Sequence, residues 1–66
     1  MQIALNGENT DSRGAQTVDD LVRRLELPPE AVLIEHNGVA LHRREWRETP
    51  LAKGDRIEII RVVAGG

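Results

Sequence analysis

The dipeptide Asn-Gly occurs twice in this chain, and each copy directly follows a short strand-like segment. Asn6-Gly7 comes after residues 2–5, in which polar and apolar side chains alternate, and Asn37-Gly38 comes after the largely aliphatic residues 31–36. A type I′ turn needs positive φ at both central positions, so Asn-Gly after such a segment is the strongest short-range signal of a β-hairpin. The sequence therefore predicts two hairpins as the frame of the fold.

One amphipathic helix is predicted between the two hairpins. Thr17 is followed by an aspartate three residues later, a pattern typical of a helix N-cap. Apolar side chains then recur at helical spacing and form one stripe: Val18, Leu21, Val22 and Leu25. The Pro-Pro pair after Leu27 is expected to end the helix, because a residue that precedes proline avoids the α region.

Five short strands are predicted in all. The hairpins return through about residues 10–13, which are polar and therefore typical of a sheet edge, and through residues 39–41; a last strand covers residues 56–63. Residues 42–48 predict an irregular or one-turn helical segment that holds Trp46 in the core. This order predicts an α+β fold, a mixed sheet of about five short strands with one main helix packed on one face.

The last strand carries apolar residues on both of its faces, Ile57 and Ile59 on one and Ile60 and Val62 on the other. Successive side chains of a strand point to opposite faces. If the Ile57 face packs on the helix, Ile60 and Val62 point away from it. Scattered apolar side chains are common on surfaces, but an open sheet face also needs some cover. Ile60 and Val62 are therefore a candidate partner-docking surface.

Composition excludes several functional classes for a chain of 66 residues. Without cysteine there are no disulfides, thiolate metal sites or cysteine nucleophiles. A formal net charge of −2 does not suit a nucleic-acid partner. His36 and His42 match no metal-ligand spacing, so neither a metal nor a catalytic residue is expected. The first residues resemble neither a signal peptide nor a membrane span, so we expect a cytoplasmic chain with no membrane partner, monomeric when free.

The last three residues, Ala64, Gly65 and Gly66, predict a flexible tail after a folded domain at residues 1–63. Glycine has no Cβ, so it is costly to order and packs nothing. Such a tail suits a thin thread that carries one carboxylate into a partner's active site. A free α-carboxyl has a pKa of about 3.3–3.7 and is anionic at neutral pH, but it must be activated before it can react as an electrophile. A frayed terminus is the alternative interpretation.

Six features of the sequence, taken in order, together resemble one known family. They are Asn6-Gly7, Thr17 with Leu21, Asn37-Gly38, Arg43 three residues before Trp46, Gly54-Asp55, and the terminal Ala64-Gly65-Gly66. The set is similar to that of the ThiS family, the sulfur carrier proteins of thiamine biosynthesis, whose fold is the ubiquitin-like β-grasp. His42 departs from the pattern, because this family often has proline before the arginine.

The resemblance implies a carrier on which other enzymes act, not an enzyme. An E1-like adenylyltransferase of the ThiF type would join AMP from ATP to the Gly66 carboxylate and release pyrophosphate. A sulfur-transfer system such as a cysteine desulfurase would then replace the AMP and leave a thiocarboxylate. Thiazole synthase of the ThiG type would take the sulfur into the thiazole ring of thiamine. The carrier itself would hold no cofactor, since ATP is consumed by the partner enzyme.

Two other functions stay open at this point. One is a sulfur carrier of the type of the molybdopterin synthase small subunit, which works by a related mechanism. The other is a ubiquitin-like binding module whose tail is never activated. The short length, Asn6-Gly7 and the Arg43-x-x-Trp46 pattern favour the thiamine carrier over the molybdopterin one.

Overall fold

The computed structural model describes residues 1–63, so the predicted tail of Ala64, Gly65 and Gly66 lies outside the described residues. Within this range the elements follow the predicted order, with one short 3₁₀ helix added before β3 and a second 3₁₀ helix in the segment predicted to be irregular or helical. The bounds are β1 Gln2–Leu5, β2 Glu8–Asp11, α1 Val18–Arg24, a first 3₁₀ helix Pro29–Ala31, β3 Val32–His36, β4 Val39–Leu41, a second 3₁₀ helix Arg43–Glu48 and β5 Arg56–Arg61. No helix in residues 1–63 is long and apolar enough to cross a membrane.

The strands of the described range form one five-stranded mixed sheet in the order β2-β1-β5-β3-β4. β5 lies in the centre, parallel to β1 and antiparallel to β3, and each hairpin forms one side of the sheet. α1 covers one face. This arrangement confirms the predicted α+β fold, a β-grasp in which the last strand is held between strands from the two hairpins.

The core lies between α1 and the covered face of the sheet. Among the described residues, ten apolar side chains are buried in it: Ile3, Ala15, Val18, Leu21, Val22, Val32, Ile34, Trp46, Leu51 and Ile57. Trp46 is only 2% exposed, so the prediction that this segment places its tryptophan in the core is confirmed. Because so small a domain buries a limited share of its surface, each of these side chains is a sizeable part of what stabilises the fold.

Both Asn-Gly pairs form the predicted turns, with φ between 50° and 85° at all four positions. The position predicted for β2 is wrong, because the two-residue turn sets Glu8 directly opposite Leu5 and the strand starts there. β2 therefore covers Glu8–Asp11 instead of residues 10–13. It does lie at the edge of the sheet, as its polar composition predicted.

The asparagine of each turn also binds the backbone of β5. The Asn6 side chain accepts a hydrogen bond from the Ile59 N–H at 2.7 Å and donates one to the Ile59 carbonyl oxygen at 3.3 Å. The Asn37 side chain accepts one from the Arg56 N–H at 2.8 Å. Each hairpin turn thus holds the central strand by a side chain as well as by strand pairing.

α1 begins where the sequence predicts, at a Thr17 N-cap whose Oγ1 accepts the Asp20 N–H at 3.1 Å. Its predicted end is too late. The helix stops at Arg24 because Glu26 adopts a left-handed φ of 55°. The Leu27 N–H then bonds back to the Val22 carbonyl oxygen at 3.3 Å, as in a Schellman motif. A non-glycine residue rarely takes this conformation, so no local pattern predicts this end of the helix.

The predicted end of β5 is also two residues too late. Val32 pairs with Arg61, and the residues before Val32 form the first 3₁₀ helix, so no strand remains opposite the chain after Arg61. One further hydrogen bond, from the Val62 N–H to the Ala31 carbonyl oxygen at 2.7 Å, fixes the next residue.

Candidate functional site

The sheet face opposite α1 is uncovered in residues 1–63, and apolar side chains gather on it along β3 and β5. Leu33 and Ile60 are paired directly across these strands and are 57% and 50% exposed. Val62 is 48% exposed and follows on the same side just after β5 ends. We call Leu33, Ile60 and Val62 the open-face patch. The predicted outward orientation of Ile60 and Val62 is confirmed, whereas their part in docking stays a prediction.

Sequence reasoning missed Leu33 as a member of this patch. The alternation of buried and exposed residues in β3 could have shown that Leu33 points away from Ile34. Its place beside Ile60 depends on the register between β3 and β5, which no local signal sets. Two outward aliphatic side chains in direct cross-strand contact make a continuous apolar surface, where the sequence showed a single stripe along one strand.

Two carboxylates border the open-face patch. Glu35 and Glu58 are the next outward pair along β3 and β5 and lie directly opposite each other. Like charges in this position destabilise a sheet, so the pair is not explained by stability of the isolated domain. The open face therefore offers apolar area next to a local negative charge.

The described backbone leads to the edge of this patch. Because the Val62 N–H is bound by the Ala31 carbonyl oxygen at 2.7 Å, the chain is fixed up to Val62. Gly66, the predicted modification site, and its neighbours Ala64 and Gly65 lie outside the described residues, so their predicted roles stay predictions. Whatever binds the open-face patch is thus placed close to the start of this last segment.

A polar cluster joins the β3–β4 hairpin to the turn before β5. His36 Nε2 lies 2.8 Å from Asp55 Oδ2, and the two side chains are 20% and 13% exposed. Asp55 also accepts the Ala52 N–H at 2.8 Å and an Asn37 Nδ2–H at 3.2 Å. The Ala52 contact lies within the turn before β5, whereas the pairing of Asp55 with His36 was not predicted. Nothing in either segment signals a contact between residues so far apart in sequence.

The surroundings of Asp55 lower its pKa. Burial raises the pKa of the carboxyl, but hydrogen bonds from His36, the Ala52 N–H and Asn37 favour the charged form more strongly. The result is a carboxylate that stays ionised and saturated with internal hydrogen bonds. Across residues 1–63, no cluster of three or more histidine and acidic side chains is placed to hold a metal ion. The His36–Asp55 contact, with those from Asn37 and the Ala52 N–H, joins the β3–β4 hairpin to the turn before β5.

The fold and the open face define a class, the ubiquitin-like β-grasp proteins. In this class the last strand lies inside the sheet and one face of the sheet is exposed. Within this class, the model of the ThiS family matches residues 2–66. The chain therefore belongs to the ThiS family.

Solved structures agree with this assignment. A crystal structure of thiamine biosynthesis protein ThiS from Geobacter metallireducens is 30% identical, with both chains fully covered and a TM-score of 0.82. An NMR solution structure of a thiamine biosynthesis protein from the same organism has a TM-score of 0.81, with 100% of this chain and 88% of that one covered.

Among curated proteins, a thiazole synthase from Magnetococcus marinus is 32% identical over 66 residues, which is all of this chain but only 20% of that protein. The chain thus spans about a fifth of that relative's length. A protein named ycf40 from Trieres chinensis is 23% identical over 62 residues, 94% of this chain and 85% of that protein. Membership of the ThiS family supports a sulfur carrier role in thiamine biosynthesis.

Proposed function

We propose that this chain is the sulfur carrier for the thiazole moiety of thiamine. The observation that carries the proposal is the ThiS family match, which runs from residue 2 to Gly66 and so includes the Gly-Gly pair. A relative named thiazole synthase contains a segment similar to the whole chain, which supports thiazole synthase of the ThiG type as the sulfur acceptor. On this proposal the chain is consumed and regenerated by partner enzymes and is not itself a catalyst.

The reacting group in the proposal is the Gly66 carboxylate. One carboxylate oxygen attacks the α-phosphorus of ATP in a ThiF-type adenylyltransferase, forming the acyl adenylate and releasing pyrophosphate. The outer sulfur of a persulfide, made by a cysteine-fed system such as a cysteine desulfurase, then attacks the acyl carbon and displaces AMP. A thiol reductant cleaves the resulting acyl disulfide and leaves the thiocarboxylate. The carboxylate needs this activation because its negative charge makes it a poor electrophile. Gly65 and Gly66 suit a narrow active-site channel because neither has a Cβ.

The open-face patch is the docking surface in this proposal. Leu33, Ile60 and Val62 present exposed apolar area at the end of β5. A partner that covers this area would gain about 25 cal/mol for each Å² of apolar surface removed from water. Binding here also brings the partner next to the segment that leads to Gly66. The patch thus supplies docking energy while the tail supplies the reacting atom.

Intact mass spectrometry of the chain after incubation with ATP and a ThiF-type adenylyltransferase tests the proposal. We expect the parent chain to gain one AMP adduct. Gly66→Ala keeps a carboxylate of similar acidity but adds a methyl group, and an unaccommodated methyl costs typically 1–3 kcal/mol. Each ~1.4 kcal/mol is tenfold in rate, so single-turnover adenylation should slow by roughly one to two orders of magnitude. A chain extended by one residue should react still more slowly.

The control is a chain that lacks Gly65 and Gly66, which should melt at nearly the parent's temperature and gain no adduct. A parent without an AMP adduct would instead indicate a ubiquitin-like binding module. Equal rates for the parent, Gly66→Ala and extended chains would remove the Gly-Gly end from the mechanism. Consumption of the thiocarboxylate form by the molybdopterin synthase large subunit, and not by thiazole synthase, would assign the other carrier type.

A further inference from the structure

A groove on the helix side of the molecule is lined almost entirely by arginine. α1 contributes Asp19 and Arg23, and the second 3₁₀ helix contributes Arg43, Arg44 and Arg47. The groove has a volume of about 470 Å³. It lies on the side of the sheet opposite the open-face patch, so the two surfaces can be occupied independently.

Two rigid elements hold this groove in shape. Trp46, 2% exposed, fixes the second 3₁₀ helix in the core, and Leu21 and Val22 fix α1 in the same core. In a 3₁₀ helix, side chains three residues apart are eclipsed, so Arg44 and Arg47 project on the same side. The guanidinium groups therefore gather because of the fold.

The positive charge of the groove is largely unpaired within the described part of the chain. Arg23 pairs with Asp19 at 3.0 Å, but Arg43, Arg44 and Arg47 form no ion pair within residues 1–63. Glu45 on the same 3₁₀ helix accepts the His42 N–H at 2.7 Å, and neither Glu45 nor Glu48 forms an ion pair with these arginines within residues 1–63.

Four arginines and one aspartate give the groove lining a net charge of +3 in a chain whose formal total is −2. Glu45 and Glu48 lie on the same 3₁₀ helix but do not line the groove, so the groove surface itself is positive. An anionic partner would pair with the guanidinium groups that line it.

We propose that this arginine groove, Asp19, Arg23, Arg43, Arg44 and Arg47, binds an acidic segment of a partner protein. Guanidinium groups form paired hydrogen bonds with carboxylates, and several converging arginines select several acidic side chains. A nucleic acid fits less well. The chain's formal charge is negative overall, and its single aromatic side chain, Trp46, is buried and cannot stack on bases.

An NMR titration of the ¹⁵N-labelled chain with a short polyglutamate peptide tests the proposal. We expect amide shift changes confined to the five groove residues and their neighbours, with binding that weakens as salt is raised. The double variant Arg43→Glu/Arg47→Glu should weaken binding by roughly tenfold or more, since both side chains are exposed and the fold should persist. Arg47→Glu and Lys53→Glu are a matched pair, because each reverses one exposed charge, inside the groove and at a turn outside it respectively. Arg47→Glu should weaken binding, and Lys53→Glu should bind like the parent.

The same spectra show whether each variant is folded, so a loss of binding can be separated from unfolding. Equal weakening by Lys53→Glu, or shifts spread over all basic residues, would reduce the effect to general charge attraction and overturn the proposal. Absence of shifts at low salt would overturn it as well. If an oligothymidylate of similar charge moved the groove signals at lower concentration than the peptide, the groove would be a nucleic-acid site instead.

Discussion

At the scale of single residues, Asp55 joins more of the fold than any other carboxylate in the described range. It binds His36, Asn37 and the Ala52 backbone, and so connects the β3–β4 hairpin with the turn that leads into β5. Asp11 offers a contrast, because it accepts the Arg13 N–H at 3.0 Å but its side chain is 65% exposed. The difference in burial predicts a difference in what each carboxylate contributes to stability.

Replacing Asp55 by alanine should lower the free energy of unfolding by about 1–3 kcal/mol at neutral pH, because charge-assisted hydrogen bonds are lost inside a shielded cluster. Asp11→Ala is the matched control and should cost less, since water replaces its partners. Urea unfolding of both variants measures the difference. Similar midpoints for the two variants would show that the Asp55 cluster adds nothing beyond an ordinary exposed turn.

The pKa of Asp55 predicts how this stabilisation depends on pH. The folded pKa lies below the unfolded value of 3.8, so the unfolded chain takes up protons first as pH falls. The contribution of Asp55 is therefore complete above about pH 4 and is lost as pH falls through the folded pKa. Below that point the stabilities of the parent and of Asp55→Ala should converge, whereas a constant gap across the pH range would rule out this linkage.

At the scale of secondary-structure elements, two leucines of the predicted α1 stripe differ in burial, although the sequence pattern predicts the same environment for both. Leu21 and Leu25 both belong to the predicted apolar stripe. Leu21 is 2% exposed in the core, but Leu25 is the C-cap residue and is only partly buried. The early end of the helix at the left-handed Glu26 causes this difference, so Leu25 packs against the core with only part of its side chain buried.

Truncation of the two leucines to alanine should therefore have unequal effects. Leu21→Ala should cost about 2–5 kcal/mol, the range for a buried leucine. Such a loss is comparable with the total stability of a small domain, roughly 5 kcal/mol, and should unfold much of the population. Leu25→Ala should cost less because part of its side chain already contacts water. Circular dichroism during urea titration gives both values, and equal losses would contradict the assigned end of the helix.

Local patterns in the sequence predicted the elements better than their ends or their contacts. Both Asn-Gly turns, the Thr17 cap and the buried Trp46 follow from chemistry within a few residues, and all are confirmed. The predicted start of β2 was wrong because pairing with β1 forms a strand from a polar segment, although the composition of that segment disfavours a strand. The left-handed Glu26 ends α1 without the glycine that usually marks such a point.

The candidate sites were predicted less completely because they are assembled from distant segments. Leu33 joins Ile60 through strand register, and Arg23 joins Arg43 through the packing of two helices. Pairs of this kind depend on how distant segments pack together, and local patterns in a single sequence do not predict that packing. The alternation of side chains along β5 was sufficient to predict that Ile60 points outward. It did not predict that Leu33 lies beside it.

At the scale of the whole molecule, the sheet separates two surfaces of different chemistry. The open-face patch is apolar with a carboxylate border, and the arginine groove on the helix side is strongly positive. The patch lies beside the last described residues, whereas the groove lies across the sheet from them. A partner that acts on the tail is therefore expected to depend on the patch.

Ile60→Asp should leave the fold intact but weaken binding to the proposed partner, a ThiF-type adenylyltransferase, because a charge replaces exposed apolar area at the centre of the patch. Asn9→Asp is the control, since it adds the same charge on the same face at the β2 edge. Circular dichroism reports the fold and titration calorimetry the binding. Loss of fold together with binding would mean that Ile60 supports the core, and equal weakening by Asn9→Asp would mean that the patch has no special role.

The two turn asparagines that hold β5 also limit the chemical lifetime of the protein. An asparagine followed by glycine is the one that most readily cyclises and deamidates to aspartate or isoaspartate. At Asn6 the new carboxylate would face the Ile59 carbonyl dipole at 3.3 Å, but at Asn37 it would face the full charge of Asp55 at 3.2 Å. Peptide mapping of aged samples locates the damage, and thermal melts of the same samples should show that damage at Asn37 lowers the melting temperature more. Such damage would loosen the β3–β4 hairpin from the central strand.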